Sequence, residues 1–278
     1  MGLIFYAKIV KMNHERNVTF MNILKVVFVI IGTLIGAGFA SGQEIYTFFF
    51  SYGIKGIPGI IISSTIIGLT IYKTFRIIEK NNIKNYKEFL DFFIKNEKIK
   101  ELINSIINIF ILVSFYVMIA GFGGYLAETI EIPQIIGSFI LAIICIKIMS
   151  KETKGIVKVS EAIVPILILF IIIIGVYTLS STNIVNKINE METIKGSSWL
   201  VSGVIYASYN SILLIPILIS VNKIINKNEI SKTSVIIAIT IFLLAISIFI
   251  SMLKIDVNIK RLEMPVSYVI STQLPNLK

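Results

Sequence analysis

Gly32-Thr-Leu-Ile-Gly36-Ala-Gly38-Phe-Ala-Ser41-Gly42-Gln43-Glu44 lies in the middle of an apolar run that extends from Asn22 to Phe50. Drawn as one straight helix to Tyr52, that run would be about 45 Å long, half as long again as a hydrocarbon core of roughly 30 Å. Something has to bend, tilt or unwind it. Gly32, Gly36, Gly38 and Gly42 each cost on the order of 1 kcal/mol of helix propensity relative to alanine. One reading makes the pairs spaced by four, Gly32 with Gly36 and Gly38 with Gly42, close-packing contacts against a neighbouring helix. That leaves Gln43 and Glu44 unexplained, because a carboxylate at membrane depth costs several kcal/mol unless paired, hydrated or protonated. The other reading unwinds the chain over Gly36, Ala37, Gly38, Phe39, Ala40, Ser41 and Gly42, so that freed amides and carbonyls bind a small polar substrate or ion. Gln43 and Glu44 then serve ion coupling.

The rest of the chain places this stretch in lipid. Of 278 residues, 55% are hydrophobic and 15% charged, with a mean hydropathy of +0.87. A soluble domain carries roughly 25% charge. Unalternating Ile/Leu/Val/Phe runs of about 20 residues predict helices rather than barrel strands, so the expected class is an all-α integral membrane protein. Seven stretches read as full spans: Asn22 to Phe50, Ile57 to Phe75, Leu102 to Ala127, Pro133 to Met149, Val159 to Leu179, Ser198 to Val221 and Thr233 to Leu253. An eighth, Met264 to Leu277, is too short to span alone and reads as partial. Residues 1–20 form a polar basic N-terminal arm and 21–278 a single transmembrane domain. A signal peptide cut near Ala40 is excluded by the apolar run continuing through Phe50.

The net charge of +10 is topological information rather than a sign of nucleic acid. Nineteen Lys and Arg residues fall in one alternating set of connections (8–25, 73–100, 147–158 and 223–232) against six in the other (Lys55, Lys187, Lys195, Lys254, Lys260 and Arg261). The asymmetry puts the N-terminus in the cytoplasm. Residues 84–100, with Phe89, Phe92, Phe93 and Ile99 among charges, read as a short amphipathic surface helix. Glu161 reads as a snorkelling partner of Lys158 or Lys154, Glu128 and Glu131 as outer-loop charges, and Trp199 as an interface anchor.

The sixth stretch carries a second interruption, Tyr206-Ala-Ser208-Tyr209-Asn210-Ser211 followed by Pro216. Pro216 lacks an amide hydrogen, and Ser208, Asn210 and Ser211 can satisfy freed backbone groups. Two broken helices five apart suggest two inverted units, helices 1–5 over 22–179 and helices 6–8 over 198–277, with broken helices 1 and 6 meeting near the midplane. Tyr206, Ser208 and Asn210 join the substrate-binding set.

The stretch Gly32 to Ile45, with Phe48-Phe-Phe-Ser-Tyr-Gly53 after it and Met118-Ile-Ala-Gly-Phe-Gly-Gly-Tyr-Leu-Ala-Glu128 in the third helix, resembles the YkvI-like bacterial membrane proteins. That family is similar to the amino acid/polyamine/organocation transporters of LeuT-type fold. The resemblance implies a five-plus-five inverted repeat with substrate between the unwound parts of the first and sixth helices, 36–42 and 206–210. It also implies ten core helices, so the chain reads as C-terminally incomplete. A sodium site that draws on the eighth helix then lacks part of its support.

The expected function is ion-coupled secondary transport of a small polar solute such as an amino acid, in the bacterial plasma membrane. The partners are lipid and the solute, and the coupling ion is sodium or a proton. A non-transporting nutrient sensor of the same fold, or a transport-incompetent fragment, are the alternatives. An enzyme is not expected. The one His14 lies outside the spans and the one Cys145 inside one, so no metal cluster, catalytic triad or phosphate loop can be assembled. Solute, coupling ion, oligomeric state and the true start, Met1 or Met21, are left open by these residues.

Overall fold

Helix formation in the first apolar run passes through Gly32 and stops just before Gly36. The computed structural model describes residues 2–181, 198–254 and 265–273, with side chains from Val18 onward except those of Ala37, Glu128, Ser181, Ser267 and 271–273. Helix α1 (Gly2–Leu34) ends at Leu34, and Ile35 and Gly36 are non-helical. A single turn, α2 (Ala37–Ala40), follows; Gly42 takes φ 86°, and the chain restarts as α3 (Gln43–Phe48). After a 3-10 segment (Phe50–Lys55) come α4 (Gly56–Asn81), α5 (Tyr86–Phe93), α6 (Glu97–Ile130), α7 (Gln134–Met149) and α8 (Glu152–Ser181). Then follow α9 (Trp199–Val221), α10 (Ile230–Met252) and α11 (Pro265–Gln273). No strand occurs among the described residues. Lys187, Lys195, Lys260, Arg261, Met264 and the end of the eighth stretch at Leu277 lie outside them.

Five helices are long and apolar enough to cross a membrane: Phe50–Asn81, Glu97–Ala127, Glu152–Ser180, Trp199–Ile224 and Lys227–Met252. The protein is an all-α membrane protein. The first and fourth expected spans appear as shorter apolar helices, Val18–Leu34 and Gln134–Met149. The glycines cut the first, and Pro133, with no amide hydrogen to donate, stands at the N-terminal boundary of the second.

Two further expectations are corrected, one on the sixth helix and one on Glu161. The basic N-terminal stretch is helical from Gly2 and runs without interruption into the apolar part of α1. The sixth helix is not broken. α9 runs through Tyr206–Asn210 and carries Pro216 inside it. Its polar side chains bond back one turn within an intact helix: Ser208 Oγ donates to the Val204 carbonyl (2.8 Å), Asn210 Nδ2 to Tyr206 (3.0 Å) and Ser220 Oγ to Pro216 (3.0 Å). Glu161 pairs with Lys25 of α1, at 3.8 Å, instead of Lys154 or Lys158. The surface stretch 84–100 holds α5, capped by Asn85, whose Oδ1 accepts from the Glu88 amide, while the Glu88 carboxylate accepts from the Lys84 amide.

The core lies among α1, α4, α8, α9 and α10, with Ile30, Ile67, Phe75, Leu218, Ile237 and Met252 sealed from the outside. α4 is central, packing along both α9 and α10. α6 and α7 pack mainly on each other and leave Ile109 62% and Ile135 81% exposed. Such a surface is an aggregation liability in water and is ordinary against lipid tails.

Small residues set the helix crossings. A Cβ on Gly203 of α9 would stand 3.0 Å from the Gly59 carbonyl oxygen of α4, whereas one on Gly124 of α6 would meet nothing within 4 Å. Gly124→Ala is therefore expected to raise stability by up to about 1 kcal/mol through helix propensity. Gly203→Ala gains the same propensity but pushes two backbones apart, an overpacking cost of about 1–3 kcal/mol. Thermal unfolding of the two variants in one detergent should shift in opposite directions.

Candidate functional site

Glu44 sits in the first turn of α3, immediately after the left-handed residue Gly42 that redirects the chain. Its Oε2 accepts a hydrogen bond from Tyr209 Oη of α9 at 2.6 Å. Its Oε1 lies 2.7 Å from where a Cβ on Gly38 would stand, so α2 and α3 can fold this close only because residue 38 has no side chain. One carboxylate thus packs against Gly38 within the break and bonds to the middle of a membrane-length helix. In hydrocarbon such a group persists only with a partner, water or a proton.

Aromatic rings enclose the Tyr209 side of the contact. Phe48 lies 5.6 Å from Tyr209 and 5.3 Å from Tyr206, and Phe49 meets Tyr206 edge-on at 4.9 Å. Tyr206 and Tyr209, three apart on one helix face, are themselves edge-to-face at 5.4 Å. Ser202 Oγ donates to the Phe48 carbonyl at 2.8 Å, fixing the end of α3 against α9.

The opposite side of the break is held by the C-terminal elements. The Val266 amide, in the first turn of α11, donates to the Ser41 carbonyl at 2.9 Å. At Gly42 a Cβ would lie 2.6 Å from Met252 Cε and 2.9 Å from Val266 Cγ2. Local bonds satisfy part of what unwinding frees: the Gly36 amide donates to the Leu34 carbonyl (2.9 Å) and Ser41 Oγ to the Gly38 carbonyl (3.2 Å).

Next to the break is a cavity of about 360 Å³, inside the usual range for small-ligand sites. Ile35, Gly36, Ala40 and Ser41 form its broken-helix wall. Met118, Gly121, Phe122 and Tyr125 of α6 face them, and Leu141 and Leu167 complete the mainly apolar lining. Glu44 is not a lining residue. The carboxylate and the cavity flank the same break.

The expected site residues separate accordingly. Gly36, Ala40 and Ser41 line the cavity; Gly38 seats the carboxylate; Gly42 makes the turn; Ala37 is described in its backbone alone. Phe39 and Tyr206 are buried around a void of about 10 Å³, too small for a solute. Asn210 is buried with its amide on the Tyr206 carbonyl, while Ser208 is exposed and turned away. Gln43 is exposed too; one residue further along a helix turns a side chain by about 100°, which brings Glu44 inward. Tyr209, Ser202 and Val266 were not among the expected site residues. Tyr209 carried a usable signal, since a phenol in an apolar span needs a partner for its hydroxyl.

Among the described residues no three His, Cys, Asp or Glu side chains gather to hold a metal. The sequence is similar to an uncharacterized membrane protein. That relative, YkvI of Bacillus subtilis (strain 168), is 26% identical over 243 residues, covering 87% of this chain and 70% of the relative. An uncharacterized protein of the same organism, YyaD, is 26% identical over 145 residues, 52% of this chain and 41% of its own length. No family model and no solved structure matches. The similarity to YkvI supports the YkvI-like kinship read from the Gly32 to Gly53 motif, and with it a membrane location.

Proposed function

We propose that the chain is a multi-pass secondary carrier that moves a small solute by alternating access, with Glu44 as the ion-coupling group. The observation that carries this reading is the placement of a carboxylate at a helix break, hydrogen-bonded at 2.6 Å to a tyrosine of another span. Breaks of this kind in carriers leave peptide dipoles free to meet a solute, and a nearby carboxylate can exchange a proton or pair with a cation. The cavity beside Gly36 and Ser41 suits a solute with a polar head against the broken backbone and an apolar body against Met118, Phe122 and Leu167. Apolar amino acids have this shape.

In this reading the fold is of LeuT type and the N-terminus is cytoplasmic, as the basic-residue asymmetry favours. The membrane is the bacterial plasma membrane, and sodium or a proton is the coupling ion. With α9 unbroken, the inverted-repeat reading draws on helix order instead of a second unwound stretch.

Counterflow in proteoliposomes tests the proposal. Liposomes preloaded with leucine, methionine or phenylalanine, in parallel with polar amino acids, are expected to take up labelled solute faster than empty liposomes for at least one apolar member. Ligand-induced thermal stabilisation with no flux for any member would point to a receptor instead of a carrier.

A further inference from the structure

A second cavity lies on the basic-rich side of the bundle, away from Glu44. It is open and large, about 1070 Å³, and is walled by the α7–α8 turn, the start of α8, the last turn of α9 and residues Asn22 and Lys25 of α1. Six lysines line it: Lys25, Lys84, Lys151, Lys154, Lys158 and Lys223. Against them stand two carboxylates, Glu152 and Glu161. Among the described residues, Lys25 alone of the six has an ion-pair partner, Glu161, at 3.8 Å. Lys154 and Lys158 are one helical turn apart and share a face of α8 with Glu161. Ser150 and Thr153 add hydroxyl groups, and Val157, Ile219 and Ile224 make an apolar floor.

Such an excess of positive charge is not placed for stability, because ammonium groups gathered in one cleft repel one another. It attracts an anion. Basic pockets between membrane helices suit phosphate-bearing head groups, where the lysines meet the phosphate and apolar residues meet the glycerol and first methylenes. We infer that the cleft lined by Lys151, Lys154, Lys158 and Lys223 binds a phosphate ester, supplied by an anionic phospholipid head group or by a soluble phosphate compound. The site is independent of the carrier reading, because it shares no lining residue with the cavity at the helix break.

Native mass spectrometry of the full-length protein tests this with phosphatidylglycerol, phosphatidylcholine, glycerol phosphate and inorganic phosphate as probes. Wild type is expected to retain phosphatidylglycerol over phosphatidylcholine. The triple variant Lys151→Gln, Lys154→Gln, Lys158→Gln should weaken that retention about tenfold or more, in line with the several charges removed. The variant Lys95→Gln, Lys98→Gln removes two exposed charges elsewhere and should bind like wild type. Glycerol phosphate or inorganic phosphate binding that needs the same three lysines, with no preference between lipids, would assign the cleft to a soluble ligand. Equal retention by wild type and the triple variant, or an equal loss in the Lys95/Lys98 control, would overturn the inference. Thermal unfolding in phosphatidylcholine nanodiscs checks that the triple variant folds, and Lys223→Gln from the α9 side gives an independent arm with the same expected direction.

Discussion

Glu44→Gln is expected to remove most ion-driven accumulation while leaving a folded protein. The amide is isosteric with the carboxylate and still accepts from Tyr209 Oη, so the contact at 2.6 Å survives in neutral form. What disappears is the capacity to carry a negative charge or a proton at the break. Accumulation should fall by on the order of tenfold or more, equivalent to about 1.4 kcal/mol of lost coupling. Exchange without a gradient should fall less, and the remaining uptake should no longer depend on pH. Tyr209→Phe removes the donor from the other side. A hydrogen bond to a charged group contributes about 1.5–3 kcal/mol, so this variant should also weaken coupling. The double variant should be no worse than Glu44→Gln alone, because both changes act on one contact. Wild-type accumulation and pH dependence in Glu44→Gln would take Glu44 out of the mechanism.

Gly42→Ala is expected to be the most destabilising single methyl addition in the break. At φ 86° a Cβ meets its own backbone at a cost of about 1–2 kcal/mol. It would also stand 2.6 Å from Met252 Cε and 2.9 Å from Val266 Cγ2, and overpacking of this kind adds about 1–3 kcal/mol. The sum, about 2–5 kcal/mol, corresponds to a Tm lowered by roughly 4–20 °C for a chain of this size. Gly36→Ala is the matched comparison. Its Cβ would lie 3.9 Å from Met118 Cε, an ordinary contact, and its backbone is outside the left-handed region. Its stability should stay within about 0.5 kcal/mol of wild type. Differential scanning fluorimetry of both proteins in one detergent separates the cases.

The contrast between these two glycines shows what could be read from the sequence and what could not. A run too long for the membrane, interrupted by glycines and followed by a carboxylate, is a local signal, and the helix does end at Leu34. Which glycine turns the chain and which opens the cavity depends on Met252, Val266 and Met118, residues brought there by tertiary packing. The second interruption misled for a physical reason. Ser208, Asn210 and Pro216 look like helix breakers one by one, yet serine and asparagine can bond to carbonyls one turn back without unwinding anything. A proline removes a single amide donor, and flanking turns in a buried helix can hold the rest. The partner of Glu44 lies in the same stretch, in the phenol of Tyr209, whose hydroxyl leaves no mark on the backbone pattern. The lysine cleft was visible only as topology: its members are scattered over four connections and gather once α1, α8 and α9 are packed.

Alternating access at the break requires that water and solute reach the backbone around Ser41. With Cys145 replaced by serine, Ser41→Cys and Ile109→Cys can each be offered a charged thiosulfonate that does not partition into lipid. Position 41 is expected to be modified and a transported solute to slow its modification, whereas position 109, on the outward face of α6, is expected to be left untouched. If position 41 instead ignores the charged reagent and reacts only with a lipophilic maleimide, the break does not face an aqueous path, and the carrier reading is contradicted.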